Sequence, residues 1–264
     1  MKIICLCKFV PDVDNFKYDY EKNVLVRENV KLILNPDDAC ALAFALRIKE
    51  KYKDTFVEIV SMAPLSIIPY LEDLLRRNVD KATLISDRLY AGSDTYVTSK
   101  IIARYLEDEE YDFILTGTHS LDGDTAHIPS QIAELLQIAQ LSNIVKVYEE
   151  SLDNDSIVVQ VDCEKNTTKY EIALPCVLSI GKESKYKLPF IKYKDLELDV
   201  KDRILVLSNE ELGFSENEVG LEGSLTKVNR TYTKEFLKKE KVTVHNDDEG
   251  IEVVYKFLKD KGFV

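Results

Sequence analysis

The stretch Gly117-Thr118-His119-Ser120-Leu121-Asp122-Gly123-Asp124-Thr125 concentrates residue types that hold small polar ligands. Its two glycines let backbone amides approach a ligand closely. Asp122, Asp124 and Thr125 can hydrogen-bond sugar hydroxyls or cap the next helix. The same residues also suit an ordinary strand-to-helix loop that only turns and caps, and the spacing alone leaves both readings open. Ala91-Gly92-Ser93-Asp94-Thr95 is a second small, polar loop before a helix. Such an N-terminus can receive pyrophosphate, but Asp94 there speaks for capping.

No catalytic set accompanies these loops. The sequence has no G-x-G-x-x-G after its first apolar run, no Walker loop, no Ser-His-Asp arrangement and no H-E-x-x-H. Its five cysteines (Cys5, Cys7, Cys40, Cys163 and Cys176) form no C-x-x-C pair, and His119, His127 and His245 complete no metal set. No catalytic and no metal-ligating residue is assigned. Such a chain is expected to hold a ligand rather than to catalyse alone.

The elements that must position the loops alternate in type. Ile3 to Val10 reads as a buried strand ending at Pro11-Asp12. Asn35-Pro36-Asp37-Asp38 reads as a helix start, with Asn35 as N-cap and acids in the first turn, followed by helical apolar spacing to about Tyr52. Phe56 to Met62, Lys81 to Ser86 and Phe113 to Thr116 read as strands. Ile67 to Asn78, Ser93 to Leu106 and Ile128 to Leu136 read as helices. This alternation predicts a parallel sheet covered on both faces, with the ligand crevice at the carboxyl ends of the strands. Further on, Ile157 to Val161 and Lys169 to Leu174 predict a β-hairpin, and Cys176 to Ile180 another strand. Leu188 to Arg203 reads as an extended segment or a poor helix, Ser208 to Tyr232 as an arm with little core of its own, and Ile251 to Lys261 as a terminal helix. The expected division is an α/β domain over 1–205 and a C-terminal arm with its helix over 206–264.

Bulk composition narrows the partners. The chain has 264 residues, 45% apolar and 31% charged, with 35 basic against 47 acidic side chains and a net charge of −12. That length can bury a sizeable core. The acidic balance disfavours nucleic acid, yet a single nucleotide held by backbone amides remains compatible with it. No apolar run approaches the roughly 20 residues of a membrane span. The apolar start before Lys8 is too short for a secretory h-region. A cytoplasmic chain with no membrane partner is expected.

Several of these segments, in order, resemble the β subunit of electron transfer flavoproteins. Cys7-Lys8-Phe9-Val10-Pro11-Asp12 is similar to that family's V-K-x-V-P-D turn, and Asn35-Pro36-Asp37-Asp38 through Glu50 to its N-P-x-[DE] helix ending A-L-R-[LI]-K-E. Ser61-Met62-Ala63-Pro64 resembles its S-M-G-P turn, and Gly117 to Thr125 its G-K-Q-x-x-D-[GD]-D loop. Leu174-Pro175, Tyr186 to Pro189 and Gly220 to Val228 resemble later segments of it. Ser86-Asp87-Arg88-Leu89-Tyr90-Ala91-Gly92-Ser93-Asp94-Thr95 is similar to S-D-R-x-[FY]-A-G-[AS]-D-T, typical of electron-bifurcating members.

The resemblance implies a Rossmann-like fold and an electron-carrying complex with a larger α subunit, embraced by the C-terminal arm. It implies FAD in this subunit for the bifurcating type, with NADH as electron donor, or AMP in simpler members. A dehydrogenase such as an acyl-CoA dehydrogenase is the implied redox partner. An adenine-nucleotide-binding regulatory module on the same domain is the alternative outside redox chemistry. Carried over by position, the cradle would include Leu6, Asn35, Met62, Gly117, Thr118, His119, Asp122, Gly123, Asp124, Thr125 and His127. Asp87, Arg88, Tyr90, Gly92, Asp94 and Thr95 would shape the space beside a flavin. Thr118-His119 stands where the family usually has Lys-Gln, which removes one cation and offers an imidazole as donor.

Overall fold

The structure is a computed structural model that describes residues 1–12, 17–19, 24–26, 31–153, 155–163, 165–227 and 242–264. These divide into two compact units, Met1–Lys227 and Val228–Val264.

In chain order the first unit contains β1 (Lys2–Leu6), β2 (Phe9–Pro11), β3 (Lys17–Asp19), β4 (Val24–Val26), β5 (Leu32–Leu34), α1 (Pro36–Lys51) and β6 (Phe56–Met62). Next come α2 (Ile68–Leu75), β7 (Lys81–Ile85), α3 (Thr95–Leu106), β8 (Phe113–Gly117), α4 (Ile128–Leu136) and β9 (Ala139–Tyr148). It closes with β10 (Ser156–Asp162), β11 (Thr167–Ala173), β12 (Cys176–Ile180), β13 (Ile204–Leu207) and the short α5 (Asn209–Leu212) and α6 (Gly220–Gly223). Among the described residues, nine strands form one sheet in the order β11-β10-β9-β12-β8-β1-β6-β7-β13. From β9 to β13 every neighbouring pair is parallel, and β10 and β11 continue the sheet antiparallel. This is the expected Rossmann-like α/β fold with a hairpin.

The central strands are apolar on both faces because helices cover both. On β1, Ile3 and Cys5 enter the cluster that holds Leu42, Phe44 and Ile48 of α1 and Leu71 and Leu75 of α2. Ile4 and Leu6, pointing the other way, join Val97, Ile101 and Tyr105 of α3 and Ile132 of α4. Phe113 and Leu115 against Ile114 repeat the alternation on β8. Each residue's face thus follows from the two-residue period of a strand.

Three expectations change. The first apolar run is two strands, because the chain leaves the sheet after Leu6 and pairs β2 antiparallel with β5. Residues 139–148, assigned to no element from sequence, form β9, which accommodates Asn143 at φ 59° beside a register shift and joins the hairpin to the main sheet. The segment read as an arm from 206 lies within the first compact unit as far as Lys227. There β13 pairs with β7, while Leu212 and Val219 are buried in the α3–α4 cluster. The last residues of the arm as read, through Tyr232, fall outside the described residues.

In the second unit, α7 (Asp248–Asp260) starts before Gly250, not after it. Asp247 caps it, accepting the Gly250 amide at 2.8 Å.

Candidate functional site

Parallel strands deliver their loops to one edge. Here the carboxyl ends of β12, β8, β1, β6 and β7 lie side by side, bringing Gly117–Thr125, Lys8, Met62 and Asp87 to that edge. The start of α1 meets them from below. Asn35 is buried, but it does not cap α1 with its side chain as the sequence suggests. Its amide nitrogen donates to the His119 carbonyl at 2.8 Å, and its amide oxygen accepts the Leu121 N–H at 3.2 Å. The side chain therefore braces the ligand-type loop.

The two acids that follow have a similar task. Asp38 accepts the Lys8 amide at 2.8 Å and the Gly117 amide at 2.9 Å. Asp37 accepts the amides of His119 at 3.3 Å and Lys182 at 3.1 Å, and its carboxylate lies 3.1 Å from His119 Nδ1. Burial pushes the Asp38 carboxyl up to about 7, against the lowering effect of these hydrogen bonds, with the neighbouring Asp37 charge adding to the rise. Cys5 and Cys7, buried beside Asp38, are pushed up as thiols by burial and by its charge. They are neutral packing groups.

The loop itself is open. Residues 121 to 127 are exposed, and Asp124 and Ala126 adopt left-handed φ of 50° and 55°. No side chain caps α4, so its first-turn N–H groups have no partner within the helix. Lys8 Nζ pairs with Asp122 at 2.7 Å. Burial pulls Asp122 upward, but hydrogen bonds from Lys8 and Ser120 and the Lys8 charge hold it below the usual carboxylate range. His119 Nε2 lies 3.7 Å from Asp124 Oδ1, and Thr118 Oγ1 lies 3.5 Å from Ser179 Oγ. A cation, uncapped amides, acidic side chains and close-approach backbone suit a nucleotide with a phosphate.

The second group of expected residues is drawn into packing. Asp87 accepts the Leu89 and Asn209 amides, each at 2.9 Å, and Tyr90 Oη donates to Asn209 Oδ1 at 3.0 Å. Asp94 caps α3 through the Val97 amide at 3.0 Å. Its other oxygen accepts Thr226 N–H at 2.8 Å and Thr226 Oγ1–H at 2.9 Å. The Asp94 amide donates to Ser224 Oγ at 2.8 Å. Gly92, at φ 79°, lies against Leu221. Only Arg88 of this segment is exposed together with Leu89, Ala91 and Gly92, and Thr95 opens α3. Leu6 and Met62 sit at strand ends facing the α3–α4 side. His127 immediately precedes α4 without a capping bond.

The structure thus adds Lys8, Asp37 and Asp38 to the expected residues. Their signal in the sequence was a cation just past the first strand and an acid pair directly after Asn-Pro, read there only as helix-start chemistry.

Fold and loop arrangement together define an α/β protein with a mainly parallel sheet whose loops gather at its carboxyl edge. The description "Electron transfer flavoprotein domain" matches residues 22–189. The chain is 34% identical over 262 residues to an electron transfer flavoprotein subunit beta of Thermoanaerobacterium thermosaccharolyticum, covering 99% of both chains. It is 32% identical over 237 residues, 88% of each chain, to the caffeyl-CoA reductase–Etf complex subunit CarD of Acetobacterium woodii. To protein FixA of Azotobacter vinelandii it is 30% identical over 251 residues, 93% of this chain and 88% of the other. The chain belongs to the electron transfer flavoprotein β-subunit family. Members of this family serve electron transfer together with an α subunit. No helix among the described residues is long and apolar enough to cross a membrane.

Proposed function

We propose that this chain is the β subunit of a bifurcating-type electron transfer flavoprotein, holding FAD at the carboxyl edge of the sheet. In this reading it works in the cytoplasm with its α subunit, carrying electrons between NADH or a dehydrogenase, such as an acyl-CoA dehydrogenase, and a second redox partner. The observation that carries the nucleotide part is the exposed 121–127 loop, which leads into an α4 without a side-chain cap and holds Asp122 against Lys8. The family supports the redox part. The Ser86 to Thr95 segment supports the bifurcating branch.

FAD would supply the two-electron and one-electron chemistry; the chain's own work is to bind, orient and shield it. Amides from Gly123 to Thr125 and the start of α4 would face phosphate. Asp122, Asp124 and Thr125 would face ribose, and backbone beside Met62 the adenine edge. His119, held by Asp37, presents Nε2 on the loop side as a donor or acceptor.

AMP in the same cradle, with FAD only in the partner, is a second reading. It is favoured by the engagement of Asp87, Tyr90, Gly92 and Asp94 with residues 209–226, which leaves Arg88 as the exposed charge for a flavin ring. Counting flavin and AMP released from the purified heterodimer separates the readings. Two flavins support the proposal, one flavin with one AMP supports the second reading, and no flavin points to a regulatory nucleotide module. Asp124→Ala is expected to reduce nucleotide retained through gel filtration. Unchanged content would remove Asp124 from the cradle.

A further inference from the structure

One cluster binds three strand ends yet has no side chain of its own in the open part of the crevice. Asp37 and Asp38 begin α1 and are both buried. Between them they accept the backbone amides of Lys8 after β1, Gly117 at the end of β8, His119 beyond it and Lys182 just after β12. We propose that Asp37 and Asp38 are positioning residues of the nucleotide cradle, setting the relative placement of the β1, β8 and β12 loops through these amides and through His119. This rests on the nucleotide reading above and adds to it the residues that hold the cradle in shape.

The spatial argument begins with Gly117. Its chain runs so close to α1 that a Cβ there would overlap Asp38 Oδ1 and lie 2.7 Å from both the Asp37 Cβ and the Asp38 amide nitrogen. The approach is therefore built into backbone and carboxylate, with no slack for the loop to slide. Downstream, the loop is fixed twice more, by Asn35 on His119 and Leu121 and by Asp37 on the His119 ring. From Leu121 to His127 every residue is exposed. Lys8, whose amide Asp38 holds, carries the cation that meets Asp122. One carboxylate thus places both a cation and a glycine turn.

An ionised carboxylate can accept all of these N–H bonds. A protonated or amidated one must turn a donor toward an N–H, losing a bond on one side. The groups facing Asp38 are Cys5 and Cys7 from β1, Asp37 on α1, the Asn35 side chain, and the amides of Lys8 and Gly117. His119 and the Lys182 amide face Asp37. The thiols stay neutral because burial raises them, while burial pushes the Asp38 carboxyl up to about 7. The cradle should therefore be better ordered above that pH than below it.

The test uses the full chain purified with its α subunit, stripped of nucleotide and titrated separately with AMP and with FAD from pH 5.5 to 8.5. In the wild type, affinity for the nucleotide that binds should rise several-fold through pH 7. Asp38→Asn should bind it at least tenfold more weakly at pH 8 and lose that pH dependence. Asp37→Asn should weaken binding while keeping the pH step. A purely structural role would not move the pH profile. Equal affinity in Asp38→Asn, or an unchanged profile, overturns the proposal. A wild type that binds neither probe overturns the nucleotide reading, and the proposal with it. If Asp38→Asn does not fold, the wild-type profile decides: flat binding across pH 7 overturns the proposal.

Discussion

The Gly117 amide donates to Asp38 Oδ1 at 2.9 Å, tying the end of β8 to the first turn of α1. Both groups are buried, so the bond has no competing water and its geometry is set by packing. The glycine is required by the close approach of two backbones. Gly117→Ala is expected to destabilise the chain by about 1–3 kcal/mol, since the added methyl meets backbone and carboxylate that cannot move aside. A thermal melt checks the stability, and nucleotide content after gel filtration checks the cradle.

Asp38 also makes a prediction for stability that runs opposite to binding. Its folded value is raised to about 7 above the unfolded carboxylate value of 3.8. Between these values the folded form keeps its proton while the unfolded form has lost one. The contribution of this group to stability therefore falls as pH rises from about 4 to about 7 and is level above. In Asp38→Asn this slope should be missing from urea titrations taken at several pH values. Retention of the full slope in the variant would assign it to other groups.

Asp94 holds two segments at once, capping α3 and binding Thr226. Burial acts to raise its carboxyl, yet the amides of Val97, Thr226 and Leu225 and the Thr226 hydroxyl hold it below the usual range. Asp94→Ala should cost about 1 kcal/mol for the cap alone. It should also speed limited proteolysis within residues 208–227, read by mass spectrometry of the fragments. Asp94→Asn keeps an acceptor and should lie between the two.

Glu58 forms a second buried polar group away from the crevice. It lies on β6 and accepts from Thr83 Oγ1 and Tyr105 Oη, each at 2.6 Å, with Lys81 Nζ at 3.0 Å and Lys2 Nζ at 3.4 Å. Burial alone would raise its carboxyl, but these partners hold it below the ordinary value. Its stabilisation is present above the unfolded carboxylate value of 4.5 and is lost as pH falls through the lower folded one. Glu58→Gln keeps the shape and removes the anion from two lysines. A loss of about 3 kcal/mol is expected by chemical denaturation at pH 7, with little change in nucleotide content.

Much of this protein was legible from residue order alone. Strands β6, β8 and β12 and helix α4 fall where short apolar runs or helical spacing place them, because each pattern has a single face or pair of faces to bury. The Gly117 to Thr125 stretch was legible as a loop between a strand and a helix, and the cap at Asp94 from its place before an apolar helix. The family could be read from short segments in a consistent order.

Other features depend on what lies across space. Ser142 and Asn143 interrupt the pattern of β9 ahead of its run Ile144 to Tyr148, rich in β-branched residues, and its place in the sheet comes from β12 and β10 on either side. Residues 208–227 look polar in sequence, yet bonds to Asp87, Tyr90 and Asp94, more than a hundred positions away, draw them into the first unit. Asn35 has the composition of a cap, but its amide is used on His119 and Leu121 instead. Sequence determined which residues are apolar, acidic or permissive of close approach. Tertiary structure decided which amides the acids would satisfy, because a buried carboxylate bonds whatever donors the packed backbone brings within reach.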